Sequence, residues 1–206
     1  KKYIKLQKGW PLAYLLESKN FYNHAFRVTP AVLIPRPESE KIIEIGLENL
    51  QSDCKRERIF LDLGTGSGAL IVSLAAAIKK ARPDIYEKSN FWASDISGKA
   101  LKVASFNANR CRFGKKIKFK RGNLLLPWRF EIKNFSQSPI FIAANLPYLK
   151  PLEREREKSI AHEPSLALIG GNDGLDLYRR LLAQVQKLET QAPLHLIMEI
   201  NPAQAA

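Results

Sequence analysis

The sequence predicts an α/β fold in which a doubly wound, mostly parallel sheet follows a short β-hairpin arm. Short apolar segments alternate along the chain with longer segments of helical periodicity, a pattern typical of parallel strands joined by helices. A glycine cluster directly follows the first apolar segment of this alternation. With 206 residues, 45% of them hydrophobic, the chain can form one main domain and a small appendage.

The alternating segments define the predicted strands and helices of this domain. We predict strands over residues 58–63, 90–96, 116–122, 138–147 and 194–200, and helices over 69–80, 98–111 and 174–189. Ser97 has the side chain of a helix N-cap at the start of the second of these helices. In the third strand, lysines alternate with Ile117 and Phe119, which favours a strand with one solvated face over a dedicated nucleic-acid patch.

The first part of the chain has a different pattern. Residues 21–40 are strand-like, but several prolines interrupt them before a helix begins near Glu38. We therefore predict an N-terminal arm or β-hairpin over residues 1–37 and one domain over residues 38–206. Glu38 and Glu40 are interpreted as carboxylates at a helix start, where the helix dipole favours them, rather than as catalytic groups.

Composition limits the partners and the location that we expect. The formal net charge is +13, which can attract the chain to polyanions such as RNA or the ribosome. Cys54 and Cys111 have neither disulfide-framework nor metal-ligand spacing, so we expect free thiols and no metal site. No apolar run has the length of a membrane span, and the first residues do not resemble a signal peptide. We expect a cytoplasmic protein without a membrane partner.

A glycine-rich loop follows the first strand of the predicted sheet. Gly64, Gly66 and Gly68 let the backbone turn sharply and approach a ligand, and the helix after them presents free N–H groups. Gly64, Gly66 and Ala69 also fit the dinucleotide pattern, so the loop alone leaves a nicotinamide-dependent dehydrogenase open.

Two acidic residues near this loop indicate what the ligand carries. Asp62 precedes the first glycine by two positions, where a carboxylate can bind an ammonium group and would repel a pyrophosphate. Asp95 ends the second strand, where it can accept hydrogen bonds from both hydroxyls of a ribose. The pair therefore fits an adenosine-containing cofactor.

Two motifs resemble class I methyltransferases, whose fold is Rossmann-like. "DLGTGSGAL" (62–70) with Asp95 resembles their S-adenosylmethionine site. "NLPY" (145–148) resembles the (D/N)PPY motif of enzymes that methylate amino groups attached to sp2 carbon. The resemblance implies S-adenosylmethionine as cofactor, with S-adenosylhomocysteine as product. The cofactor-binding residues that it implies are Asp62, Gly64, Thr65, Gly66, Gly68, Asp95, Asn123 and Asn145.

Two longer segments, 11–40 and 163–182, resemble the HemK/PrmC family. That family methylates the glutamine of the GGQ loop in peptide chain release factors, so the resemblance implies a protein-glutamine N-methyltransferase with a release factor as its partner. It also implies that Asn145, Pro147 and Tyr148 are catalytic and that, with Leu146, they bind the substrate.

The residue types in "NLPY" suit an amide substrate. If the Asn145 side-chain oxygen and the Leu146 carbonyl each accept one N–H, the substrate nitrogen is oriented towards the methyl group. Tyr148 can stack on the flat amide, and Pro147 restricts the loop. Arg36 and Glu199 can face this site or solvent, and Glu163 can brace the loop after the motif.

The sequence also departs from the HemK/PrmC pattern. Leu146 replaces the usual proline, and Asn123 replaces a frequent aspartate that contacts the adenine amino group. Members normally begin with a helical domain and usually end with two more strands, which we expect to be absent here, leaving a truncated domain with an open edge strand. Two other functions stay open: an adenine methyltransferase acting on RNA or DNA, and a non-catalytic cofactor-binding module.

Overall fold

The computed structural model of the protein describes residues 2–50 and 57–204, so Cys54 lies outside the described residues. Within them, five parallel strands form one sheet, and a separate antiparallel hairpin precedes it. This architecture confirms the predicted α/β class with a hairpin ahead of a parallel sheet. No helix in the described part of the chain combines the length and apolar character that crossing a membrane requires.

The strands and helices are numbered in chain order. The strands are β1 Lys19–Phe21, β2 His24–Phe26, β3 Ile59–Leu63, β4 Asn90–Asp95, β5 Ile117–Arg121, β6 Ile140–Ala144 and β7 Leu194–Met198. The helices are α1 Lys2–Gln7, α2 Leu12–Leu16, α3 Glu40–Glu48, α4 Ala69–Ala81, α5 Pro83–Lys88, α6 Gly98–Arg110, α7 Arg129–Asn134, α8 Pro151–Arg156 and α9 Asp176–Val185. Each predicted strand and helix of the main domain is therefore present, with shifted ends.

The strand order of the large sheet is β5-β4-β3-β6-β7, and every neighbouring pair is parallel. The chain adds β4 and β5 on one side of β3 and then crosses to add β6 and β7 on the other. In open parallel sheets, ligands bind outside the carboxyl ends of the strands where this reversal occurs. The reversal lies between β3 and β6, which brings their carboxyl ends together.

Both faces of the sheet are covered, because alternate residues of each strand belong to different clusters. Phe60 of β3 packs among α3, α4 and their neighbours, and its ring stacks on Phe91 with 5.0 Å between centroids. Ile59 and Leu61 point to the other face, in the cluster that contains Leu181 of α9. Burial on both faces explains why β3 and β6 are apolar runs without alternation.

The arm is a short hairpin followed by an extended segment that crosses the main domain. Only 19–21 and 24–26 pair as strands, and the proline-containing segment that follows forms no ladder in the described chain because proline lacks an N–H donor. Val28, Val32 and Ile34 of this segment are buried in a cluster with Ala100 of α6. The arm therefore covers the start of α6.

Some predicted boundaries were wrong, and some elements were missed. The last predicted helix, 174–189, is shorter as α9, because Gly174 has a φ of +81° and α9 begins only after it. The short helices α1 and α2 within the predicted arm were not expected. They have six and five residues, fewer than two turns, so no periodic pattern in the sequence signals a helix.

Candidate active site

The glycine-rich loop connects β3 to α4 and is fixed by backbone hydrogen bonds to the neighbouring strand. The N–H groups of Gly64 and Thr65 donate to the Ser94 carbonyl of β4 at 2.9 and 3.0 Å. Gly64, Gly66 and Gly68 all have positive φ values, of +73°, +54° and +78°. L-residues with side chains rarely adopt this region, so the glycines permit the turn that opens space above the strand ends.

Two of these glycines also permit a close approach by neighbouring groups. A Cβ on Gly64 would lie 3.1 Å from Cδ2 of Leu146, the residue after Asn145. A Cβ on Gly68 would lie 3.0 Å from Cβ of Ala104 in α6. Gly64 therefore faces the "NLPY" segment, whereas Gly68 provides packing between the loop and α6.

Asp62 lies beneath the loop and is almost completely buried. Its Oδ2 accepts a 2.6 Å hydrogen bond from the Thr65 hydroxyl, which holds the carboxylate against the loop. Burial raises the pKa of Asp62 from 3.8 to about 7, against the opposing effects of the Thr65 and Ile71 hydrogen bonds. A cationic ligand at this position would favour the ionised carboxylate.

Asp95 ties the end of β4 to the glycine loop. Its two carboxylate oxygens accept hydrogen bonds from the N–H groups of Gly66 and Ser97, at 2.9 and 2.8 Å. Ser97 caps α6, as predicted, by accepting a hydrogen bond from the Ala100 N–H. Burial raises the pKa of Asp95 above its ordinary value, and the two N–H donors oppose that rise.

Asn145 follows β6, and a series of hydrogen bonds between side chains holds it in place. Its Nδ2 donates to Ser39 Oγ at 2.7 Å, and the Ser39 hydroxyl donates to Glu199 Oε2 at 2.6 Å. Ser39 precedes α3, and Glu199 follows β7. Among the described residues, no donor binds Oδ1 of Asn145, so this oxygen is the acceptor that a ligand can use.

The Leu146 carbonyl is positioned by a tyrosine from α9. The Tyr178 hydroxyl lies 2.9 Å from the Leu146 oxygen and 2.5 Å from the Glu199 carbonyl oxygen. A carbonyl oxygen has two lone pairs, so Leu146 can accept a further hydrogen bond from a substrate. Burial raises the pKa of Tyr178, so its hydroxyl stays protonated as a donor at neutral pH.

Glu163 fixes the arm over the site. Its buried carboxylate accepts a 2.9 Å hydrogen bond from the Ile34 N–H and pairs with the Arg36 guanidinium. The Tyr14 hydroxyl donates to the Val32 carbonyl at 2.6 Å and secures the same segment from α2. The sequence led us to expect that Glu163 braces the loop after "NLPY". Its carboxylate binds the arm instead, so this prediction was wrong.

Three cavities meet at Asn145. The largest of these three, of about 240 Å³, lies between the arm and the carboxyl ends of β3 and β4. A second, of about 60 Å³, lies above Asp62 and Thr65, and a third, of about 190 Å³, extends past Tyr148 to Glu199 and Arg36. Leu33 and Asn145 line all three, so the arm forms one wall of their junction.

The predicted site residues lie close together, but they do not all line the same cavity, and one of them lines none. Those that line the largest cavity are Gly64, Gly66, Asp95, Asn123, Asn145, Leu146 and Pro147. Asp62 and Thr65 line the small cavity instead, and Tyr148 lines the third. Gly68 lines none of the three and lies against α6. The geometry therefore does not support the predicted contact between Gly68 and a cofactor, which stays a prediction.

Sequence reasoning missed two residues that organise the site. Ser39 is separated from Asn145 by 106 residues, and Tyr178 is separated from Leu146 by 32. Neither belongs to a motif with a stated chemical role. The one available signal for Tyr178 was its position inside the segment 163–182, which carries the family resemblance.

A family model and curated relatives match the chain. The model, described as an RMKL-like methyltransferase domain, matches residues 42–165. A release factor glutamine methyltransferase from Bacillus subtilis is 36% identical over 215 residues, covering 100% of this chain and 68% of the relative. One from Moorella thermoacetica is 40% identical over 176 residues, covering 84% and 56%. The chain spans 59%, 64% and 56% of the length of three such relatives.

Solved structures share the fold at low sequence identity. The catalytic domain of human METTL16, in complex with MAT2A 3′UTR hairpin 6, has a TM-score of 0.62 at 15% identity and covers 88% of this chain and 63% of that chain. The N-terminal domain of human METTL16 in complex with SAH has a TM-score of 0.56, also at 15% identity, and covers 88% and 62%. This likeness concerns the fold alone.

Proposed function

The chain belongs to the family of release factor glutamine methyltransferases, and we propose that it methylates the side-chain amide nitrogen of a glutamine in the GGQ loop of a peptide chain release factor. The observation that carries the proposal is Asn145, whose free acceptor Oδ1 and whose neighbour, the Leu146 carbonyl, lie where three cavities meet. Two acceptors at this point match the two N–H groups of a primary amide.

We propose S-adenosylmethionine as the methyl donor. The residues present fit it: the largest cavity has the glycine loop and Asp95 at one end, and a Cβ on Gly64 would intrude towards Leu146. Asp95 and Asn123 would hold the adenosine part, and Asp62 beside the small cavity would hold the ammonium group. The METTL16 domain, which shares the fold, was solved in complex with SAH, and this supports the choice of methyl donor.

The chain itself would act by binding and orientation. An amide nitrogen is a weak nucleophile because its lone pair is delocalised into the carbonyl. Asn145 Oδ1 and the Leu146 carbonyl would accept both N–H groups, aim the nitrogen and stabilise the positive charge that develops on it. When bound, S-adenosylmethionine would supply the methyl group: its carbon–sulfur bond would break as the carbon–nitrogen bond forms, S-adenosylhomocysteine would leave, and the nitrogen would lose one proton to water.

Tyr148 and Pro147 would complete the substrate site. Tyr148 is half-buried at the cavity that reaches Glu199, where its ring can stack on a flat amide. Its main-chain carbonyl accepts a 3.0 Å hydrogen bond from the Gln204 side chain, which fixes the loop after Pro147. Burial raises the pKa of the Tyr148 hydroxyl, so the residue contributes packing and not a base at neutral pH.

Labelled S-adenosylmethionine tests the substrate. We would incubate the protein separately with a release factor containing GGQ, the same factor with that glutamine changed to alanine, ribosomal RNA and duplex DNA. We expect label in the intact factor alone. Protease-resistant label in RNA or DNA would contradict the proposal and support an adenine methyltransferase, whose amino group the same two acceptors would also fit.

A short peptide containing GGQ would separate poor docking from lack of catalysis. The chain spans only part of the length of its relatives, so a weak reaction with the whole factor would not distinguish weak docking from weak catalysis. At high concentration, the peptide needs only the site around Asn145, so we expect it to be methylated. Cofactor binding without methylation of either substrate would support the non-catalytic module.

A further inference from the structure

The hydrogen-bond chain from Asn145 through Ser39 to Glu199 has a fixed direction. Glu199, when ionised, can only accept hydrogen bonds, so the single proton of the Ser39 hydroxyl must go to it. Ser39 Oγ then has only lone pairs to offer Asn145. Asn145 must therefore present its Nδ2 to Ser39, and its Oδ1 faces away.

Both supporting groups are held firmly enough to impose this direction. Ser39 is 5% exposed and lies at the start of α3, so water does not readily replace its partners. The Glu199 main chain is fixed on both sides: its N–H donates to the Ala144 carbonyl at 3.1 Å, and its own carbonyl oxygen lies 2.5 Å from the Tyr178 hydroxyl. Arg36, which lines the same cavity, forms its ion pair with Glu163.

We propose that Glu199, acting through the Ser39 hydroxyl, sets the orientation of the Asn145 amide so that oxygen rather than nitrogen meets the substrate. The two ends of an Asn side chain are nearly equal in size, and a flipped amide would present an N–H donor to the N–H groups of the substrate. Ser39 and Glu199 are then positioning residues for the methyl transfer. This inference rests on the proposed function, because it assigns roles within the same site.

A carboxylate at position 145 tests the direction of the hydrogen bonds that link Asn145, Ser39 and Glu199. In Asn145→Asp, two carboxylates compete for the one proton of Ser39, so we expect kcat to fall by at least about 100-fold. In Glu199→Gln, either orientation of the amide can be satisfied, and we expect a smaller loss of about two- to tenfold, in kcat more than in KM.

Combining the two changes should restore activity. The glutamine side chain introduced at position 199 can donate to Ser39 Oγ, which frees the hydroxyl proton for the new carboxylate and leaves its other oxygen facing the substrate. We expect the double variant to be at least about tenfold more active than Asn145→Asp alone. The matched control is Glu44→Gln, an exposed glutamate on α3 paired with Lys41, which should restore nothing to Asn145→Asp. A double variant no more active than Asn145→Asp would overturn the inference.

The amide orientation can also be measured without turnover. In nitrogen-15-labelled protein, the Asn145 side-chain NH₂ signals are identified by their loss in Asn145→Asp. We expect Ser39→Ala and Glu199→Gln both to shift these signals and speed their exchange with water, whereas Ser73→Ala, a buried serine without a hydroxyl partner among the described residues, leaves them unchanged. Signals unaffected by Ser39→Ala and Glu199→Gln would overturn the inference even if the release factor is methylated. The reverse result, shifted signals without methylation, would contradict the proposed function only.

Discussion

At the residue scale, Asn145 matters most, because it lines all three cavities and ends the hydrogen-bond chain from Glu199. Asn145→Ala removes the acceptor that orients the substrate nitrogen while leaving the glycine loop and Asp95 in place. We expect kcat to fall by at least about 100-fold with little change in cofactor affinity, which steady-state kinetics and calorimetry would measure. Equal turnover in the variant would exclude the orientation mechanism.

The buried Asp62 should make stability depend on pH. With a pKa of about 7 in the folded protein against 3.8 ordinarily, the folded state keeps a proton that the unfolded state has released between these values. The free energy of unfolding should therefore fall as pH rises from about 4 to about 7, by at most roughly 1.4 kcal/mol per unit for this group. The raised pKa of Asp95 adds to the fall in the same direction.

Urea unfolding at pH 5 and pH 8 measures this dependence. Asp62→Asn should flatten it, since asparagine keeps the shape but does not ionise. Asp84→Asn, at an exposed aspartate paired with Arg82, should leave the dependence close to that of the original chain. An Asp62→Asn variant as sensitive to pH as the original would show that another group is responsible.

The sequence could locate some of the site residues but not the residues that position them. Asp62, Asp95 and Asn145 each follow or end an apolar strand, and carboxyl ends of parallel strands meet at one edge, so local pattern and topology predicted their proximity. Ser39 reaches Glu199 across 160 residues of sequence, and that pairing depends on how α3 and β7 pack. No spacing rule within a single sequence carries this information.

At the element scale, the arm is the part of the fold that closes the site. Its extended segment supplies Val32 and Leu33 to the largest of the three cavities, and side chains of the main domain hold its backbone: Glu163 binds the Ile34 N–H, and Asn107 of α6 binds the N–H and the carbonyl of Arg27. The backbone of this segment forms no strand ladder within the described chain, so these side-chain contacts decide whether it stays in place. We therefore expect cofactor affinity to depend on a residue far from the glycine loop.

Glu163→Ala tests this dependence. The change leaves the Ile34 N–H and the Arg36 guanidinium without their acceptor, which should lower the free energy of unfolding by about 1–3 kcal/mol. Hydrogen exchange at Ile34 should become faster, and the affinity for S-adenosylhomocysteine should fall. Glu155→Ala, an exposed glutamate on α8, serves as the control and should change neither quantity. If both variants bind the ligand like the original chain, the arm does not form part of its site.

The length of a helix decided whether it could be predicted from the sequence. The 13-residue helices α4 and α6 have enough turns to show their periodicity, and both were predicted within one residue of their observed ends. The six-residue helices α5, α7 and α8 have fewer than two turns, so no periodic signal distinguishes them from loops. They were accordingly missed, although each connects predicted elements.

At the scale of the whole molecule, the charge of +13 is spread over the surface and partly engaged. On β5, Lys120 pairs with Glu131 and lies 4.7 Å above the Trp128 ring, while Lys116, just before this strand, donates to the Glu87 carbonyl at 2.9 Å. Lys118 between them is exposed. These contacts favour the predicted solvated face over a dedicated nucleic-acid patch, and attraction to ribosomal surroundings stays a prediction.

The global stability of the molecule gives a direct test of the cofactor, because a ligand that binds only the folded state stabilises it by mass action. At 100 times its dissociation constant, S-adenosylhomocysteine should raise the free energy of unfolding by about 2.7 kcal/mol and shift the melting temperature upward by several degrees. NAD should cause no shift, since Asp62 beneath the glycine loop would repel a pyrophosphate.

Replacing Gly64 with alanine adds a Cβ 3.1 Å from Leu146 at a φ of +73°, so this variant should lose most of the ligand-induced shift. Its unliganded melting temperature would serve as its own baseline. A shift with NAD and none with S-adenosylhomocysteine would contradict the methyl-donor site and restore the dehydrogenase that the glycine pattern alone leaves open.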